Sequence, residues 1–336
     1  MSIGFDFVII WTVILAGGIF LYVLLDGFDL GVGMLYGLAP DRDSREVLMS
    51  SIAPIWDGNE TWLVFGGLSL LAAFPLAFAI IVPALYLPML LMLLALVFRG
   101  VAFEFRVEDE AHRGFWDYGF CVGSILASFA QGVMLGTFIE GFEVEGRHFV
   151  GGSLDFLTPF SVLSGFGLMA GYGLLGAGWL IMKTTGAIQA RARRQGRYCL
   201  IGVLLAIAMV SLWTPHVSAE VAARWFSWPN ILYLSPVPVA TALLALGVWR
   251  ALGGTSEHWP FVGAVGLFVL AYAGIAISLW PMIVPHHYTL TEAASSESTQ
   301  GFLLAGTLAL LPVILTYTAW SYWIFRGKVR RDNGYH

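Results

Sequence analysis

Long apolar runs joined by short polar connections set the rhythm of the chain. The stretches near 7–25, 52–74, 77–98, 119–138, 156–182, 198–214, 229–249, 259–284 and 301–325 each approach the roughly 20 residues a helix needs to cross hydrocarbon. The pattern predicts nine transmembrane helices in bundles, an all-α membrane protein whose residues 1–336 form a single polytopic domain. One run needs division, because Thr61 to Phe98 is 38 residues without a charge. A turn is predicted at "AAFPLAF". Counted from Thr61, the second helix would have 14 residues before Pro75, too few to cross at about 1.5 Å per residue. It must begin nearer Ile52, which puts Trp56, Asp57 and Glu60 in its first turns, at the membrane boundary.

Composition agrees with this reading. The 336 residues are 58% apolar and 12% charged, with a mean hydropathy of +0.78, far from an ordinary soluble domain. Thirteen Trp and 39 Gly suit interfacial aromatic belts and close helix contacts in lipid. Cys121 and Cys199 lie in separate apolar runs without CxxC or CxxCH spacing, so they read as small packing residues. The N-terminal "MSIGFDFVII" lacks a basic leader, and its apolar run is expected to be retained as a helix.

Charge supplies an orientation. Arg42, Arg45, Arg99, Arg106, Arg113, Lys183, Arg191, Arg193, Arg194, Arg197, Arg250, Arg326, Lys328, Arg330 and Arg331 fall on one side of the predicted spans, and Arg147 and Arg224 on the other. The positive-inside rule then predicts a periplasmic N-terminus and a cytoplasmic C-terminus. It also explains "KTTGAIQARARRQGR" without nucleic-acid binding.

Two further patterns exclude chemistry. "GYGLLG" at Gly171 to Gly176 matches a dinucleotide fingerprint, but no strand precedes it, so it reads as a helix-packing face. His112, His148, His216, His258, His286, His287 and His336 all fall in predicted loops, tails or helix ends. A membrane haem takes His, sometimes Met, as its axial ligand. Met92, Met134 and Met169 read as packing residues, so the chain is expected to hold no haem and no metal of its own. The outer acid Glu140 reads as solvated, and the pair His286 and His287 is too small a donor set for a metal site.

Three charged stretches converge on the cytoplasmic side: "LLDGFDLGVGML" ending the first helix, "PIWDGNETWLV" starting the second and "FRGVAFEFR" ending the third. Asp26 and Asp29 are three apart, as are Asp57 and Glu60, so each pair shares a helix face. Arg99 and Glu104 are predicted as charge partners of these acids, with Arg106 as a second arginine facing them; in the bland alternative Glu104 and Arg106 lie in the headgroups. Carboxylates within spans usually face the bundle interior or a wet cavity and mark proton paths. The bland alternative is a static ion pair at Arg99 with the other acids capping helices. Trp56 and Trp62 flank the acids as interfacial anchors, and Trp56 could also touch a quinone or lipid tail.

These three motifs, with "SLWPMIVP" followed by "EAASS", resemble subunit II of the cytochrome bd-type quinol oxidases, and the short loops resemble the cyanide-insensitive branch. The resemblance implies a bacterial inner-membrane heterodimer, electrogenic and oxygen-reducing. In it a haem-bearing subunit I holds the b-type haems and haem d (or b), oxidises quinol and reduces oxygen to water. It further implies that this chain is a haem-free partner, that Asp57 lies on a cytoplasmic proton path with Asp29, Asp26 and Glu60 nearby, and that a structural quinone rests by Trp56. Glu60 stands where some members carry an amide. Membrane lipid and a small accessory subunit complete the implied partners, and nucleic acid is not among them. A proton-coupled secondary transporter is the competing reading, since paired acids at broken helix ends suit ion coupling. A pure assembly scaffold is a third.

Overall fold

The computed structural model describes residues 6–329, leaving Arg330, Arg331 and His336 outside the described residues. The chain is helical almost throughout, in the order α1 (Phe7–Tyr36), α2 (Arg42–Ser50), α3 (Trp56–Ala73), α4 (Pro75–Ala84), α5 (Tyr86–Glu108), α6 (Arg113–Glu140), α7 (Pro159–Lys183), α8 (Gly186–Val217), α9 (Ala219–Phe226), α10 (Asn230–Leu234), α11 (Pro236–Gly253), α12 (Trp259–Leu279), α13 (Leu290–Ala293) and α14 (Glu297–Ile324). Two antiparallel hairpins interrupt it. One pairs Val144 with Phe149 and Glu145 with His148, the other Met282 with Thr289 and Val284 with Tyr288.

Among the described residues, eight helices are long and apolar enough to cross a membrane. The expected second span is α3, whose polar first turns leave it less apolar than the others. The expected third span, 77–98, needs correction. Pro75 opens the separate ten-residue helix α4, and the long helix that follows runs from Tyr86 to Glu108. Arg99, Glu104 and Arg106 therefore sit on the last turns of a helix instead of beyond its end. The first helix also runs further than predicted, to Tyr36, so Asp26 and Asp29 lie inside it. The basic stretch expected as a loop between the fifth and sixth spans is mostly the start of α8, which begins at Gly186.

Glycine decides how closely the central helices pack. A Cβ on Gly31 would lie 1.9 Å from the Tyr172 carbonyl oxygen, and one on Gly176 would lie 2.4 Å from the Gly31 carbonyl carbon. Helices α1 and α7 therefore touch backbone to backbone, as small-residue faces permit in lipid. This is the role of the "GYGLLG" glycines. Helices α6 and α7 meet the same way at Gly132 and Gly165.

The two ends of the bundle are built differently. At one end α4, α13 and both hairpins gather around a cluster that includes Trp11, Phe74, Ile80, Val284 and Leu290. At the other end the basic segments meet. Arg191 donates to the Leu38 carbonyl at 3.2 Å, Arg193 to that of Ser256 at 2.7 Å, and Lys328 pairs with Glu257 at 2.9 Å. Buried Lys183 donates to the Phe325 carbonyl, fastening the end of α14 to the end of α7.

Candidate functional site: a buried acid cluster around one arginine

Asp26 and Asp29 are one turn apart on α1 and both are fully buried. Arg99, from α5, is equally buried, and its Nη1 lies 2.8 Å from Glu60 Oε1 and 3.4 Å from Asp26 Oδ1. Glu60 comes from the second turn of α3 and keeps about a quarter of its side chain, 24%, accessible. Asp29 is held separately: Asn59 Nδ2 donates to its Oδ2 at 2.7 Å and to the Leu25 carbonyl at 3.3 Å. Tyr322 of α14 donates to Asn59 Oδ1 at 2.9 Å. Four helices thus close around three acids and one arginine.

The balance of charge and hydrogen bonds is incomplete. Asp26 Oδ2, Asp29 Oδ1 and the Nε and Nη2 of Arg99 have no hydrogen-bond partner among the described residues. An unpaired charged group in a low-dielectric interior is costly. Three carboxylates thus share one guanidinium, and their charges are not balanced within the cluster.

The other predicted residues fall outside this cluster. Asp57, in the first turn of α3, is exposed and makes no ion pair among the described residues. There it also complements the positive end of the helix dipole. Its neighbour by helical spacing is the apolar face of Val64, Leu68 and Leu71, also exposed. Glu104 is exposed and makes no ion pair among the described residues, because its position on α5 points away from the face that carries Arg99. Trp56 stacks on Phe103 with centroids 5.0 Å apart and planes 4° apart, and Arg99 lies 5.9 Å from its ring. That packing competes with the proposed quinone contact. Trp62 is 1% exposed, so it is a core residue and no interfacial anchor. Glu140 is half-buried and accepts from Thr158 Oγ1 at 2.5 Å, so it is held and not simply solvated.

Sequence reasoning missed a second cluster. Arg106 is 2% exposed: it is not in the headgroups, as the bland alternative had it, and it pairs with Asp117 instead of with Asp26, Asp29, Asp57 or Glu60. Its Nε donates to Asp117 Oδ1 at 2.5 Å. Tyr36 donates to the same oxygen, and Arg45 Nη1 reaches Asp117 Oδ2 at 3.3 Å. Glu46 accepts from Arg113 at 2.8 Å. The signal was available as the lone acid in "GFWDYGF", which the shorter predicted fourth span left in a loop.

The side chains of the kind that ligate a haem iron are placed as follows. His216 lies in the last turn of α8 and His258 just before α12, and the other described histidines lie outside the spanning helices. Met92 is a core residue, with Met134 packed against the core. No group of three or more His, Cys, Asp or Glu among the described residues could hold a metal ion.

Fold and site together define a multi-pass membrane subunit with an acid-rich interior cluster near one end of its bundle. Residues 7–325 match the family described as Cytochrome bd terminal oxidase subunit II, and the chain belongs to that family. It is a component of a terminal oxidase of the inner membrane. It is 28% identical to Cytochrome bd-I ubiquinol oxidase subunit 2 of Escherichia coli (strain K12), across 96% of this chain and 95% of that one. Identity is also 28% to Cytochrome bd ubiquinol oxidase subunit 2 of Bacillus subtilis (strain 168), across 95% and 96%. The fold is similar to a chain in the structure of bd oxidase from Geobacillus thermodenitrificans, with a TM-score of 0.76, 17% identity, and coverage of 95% and 98%. Neither fold nor relatives point to a secondary transporter.

Proposed function

We propose that this chain is the haem-free partner of a haem-bearing subunit I in a quinol:oxygen oxidoreductase, and that its acid cluster passes cytoplasmic protons toward the site where oxygen becomes water. The observation that carries the reading is the surplus of buried carboxylates: Asp26, Asp29 and Glu60 face one cation, Arg99. Glu60, partly accessible, links the interior acids to the start of α3. Asp57 is three residues before it on an exposed face and exchanges protons with the partner subunit. In this reading α3 is the ninth span, the basic end of the bundle is cytoplasmic, and both described termini follow from that placement. The haems, the quinol site and any accessory subunit lie outside this chain, so no step here runs through them.

Asp57→Asn in the intact complex tests the path. Steady-state oxygen consumption should fall while the haem absorption spectrum stays unchanged. Unaltered oxygen consumption together with unaltered proton uptake would leave the chain as a scaffold.

A further inference from the structure

Arg224 is a basic residue at the end of the bundle opposite the basic segments, and the acid cluster makes no use of it. It sits on α9, a short helix whose surroundings expose Phe226 (63%), Trp228 (75%), Tyr233 (76%) and Trp280 (51%). Such a collar of large aromatic rings is unfavourable in bulk water and suits the headgroup level of a bilayer. Within it, Arg224 Nη1 donates to the carbonyls of Ile277 (2.7 Å), Ser278 (3.0 Å) and Trp280 (2.5 Å). These contacts cap the end of α12 and fix the guanidinium plane. Trp225 Nε1 donates to Ser278 Oγ at 2.9 Å and holds α9 in place.

Only one arm of the fork is used this way. Arg224 has no carboxylate within ion-pair distance among the described residues, since Glu220, one turn back on α9, lies 3.5 Å from His286. Among the described residues only its Nη1 makes hydrogen bonds, which leaves Nε and Nη2 to meet an anion. Beside it opens a cavity of about 370 Å³ lined by Arg224, Asn230, Tyr233, Ile277 and Trp280. Asn230 and Tyr233 add neutral hydrogen-bonding groups at its wall.

We propose that this cavity holds the phosphate headgroup of an anionic phospholipid. A guanidinium with one arm fixed and the other open matches phosphate through paired, charge-assisted hydrogen bonds. The surrounding rings contact the first carbons of the acyl chains. A lipid is favoured over a soluble anion because the exposed aromatic collar already requires an interface around the cavity.

The test uses the whole oxidase complex in native mass spectrometry, after exchange into phosphatidylglycerol or phosphatidylcholine nanodiscs. Unmodified complex should retain at least one more phosphatidylglycerol than the Arg224→Gln complex, with no difference in phosphatidylcholine. Arg224→Lys, which keeps the charge and loses the fork, should fall between them. Gln retains a donor for the α12 carbonyls, so the substituted complex should assemble. If it does not, the unmodified complex still decides: no preference for phosphatidylglycerol over phosphatidylcholine overturns the proposal. Equal retention by Arg224→Gln overturns it as well. Displacement of the lipid by millimolar inorganic phosphate alone would assign the site to a soluble anion and overturn the lipid assignment.

Discussion

Arg99 and Arg106 stand seven residues apart on one face of α5, both withdrawn from solvent, yet their neighbourhoods carry opposite charge. Around Arg106 there are three bases, with Arg45 and Arg113, against two acids, Asp117 and Glu46. Around Arg99 there are three acids against one base. The Arg106 cluster ties α1, α2, α5 and α6 together through a carboxylate, Asp117, whose two oxygens both have partners. In the Arg99 cluster two buried carboxylate oxygens have none. Both clusters leave guanidinium nitrogens without partners among the described residues, Arg45 Nε, Arg106 Nη2 and Arg113 Nε in one and Arg99 Nε and Nη2 in the other, so the contrast lies in the acids. A carboxylate with both oxygens bonded serves to hold helices in register, whereas a surplus of carboxylates with unpaired oxygens suits proton exchange.

The largest effect should come from breaking the Arg106 cluster at its fully bonded carboxylate, Asp117. Asp117→Ala leaves Arg106 buried without its main partner, a loss of about 3–5 kcal/mol for such a pair. A large drop in unfolding temperature, with poor recovery of assembled complex, is the expected outcome; an unfolding temperature equal to the unmodified protein would show that Arg45 and Glu46 suffice. Next comes Asp29→Asn, which keeps an acceptor for Asn59 and removes the charge. Oxygen consumption should fall by about tenfold or more, within the usual reach of proton-transfer groups, with little change in unfolding temperature. Equal losses of rate and stability would make Asp29 a structural residue like Asp117.

A third, exposed contact gives the small end of the scale. Hydrogen bonds from Lys328 and Gln189 hold the Glu257 carboxyl below its ordinary range. A depressed folded-state pKa gives stability that is present above the unfolded value, about 4.3, and is lost as pH falls through the lower folded value. Thermal unfolding scanned from pH 6 to pH 3 should therefore show a slightly shallower acid decline in Glu257→Gln. Identical curves would mean that solvent screens the Lys328 pair completely.

The difference between the clusters also marks what the sequence could disclose. Hydropathy found the apolar runs, and the orientation of the spans put Asp26, Asp29, Glu60 and Arg99 at one end; three-residue spacing holds for Asp26 and Asp29, whereas Asp57 is exposed while Glu60 turns to Arg99. Helix ends were less legible. Charges interrupt the apolar residues from Asp26 and from Arg99 onward, so hydropathy ended these helices at their first charges. Those charges are instead buried by neighbours distant in sequence. Asp117 and Glu46 were missed for that reason: each gains its meaning from an arginine on another helix. The same limit hid Asn59, whose amide bonds Asp29 on one side and, 263 residues further along the chain, Tyr322 on the other. Asp57 had the strongest motif, yet its side chain is exposed on α3 and makes no ion pair among the described residues.

In the proposed function the acid-rich cluster moves protons, whereas the base-rich one holds helices in register. Proton uptake from the medium after an oxygen pulse, measured on complexes carrying Glu60→Gln or Glu46→Gln and showing unchanged haem spectra, compares the two directly. The account predicts slower uptake for Glu60→Gln and an unmodified rate for Glu46→Gln. Unchanged uptake in Glu60→Gln, or slowing confined to Glu46→Gln, would contradict it.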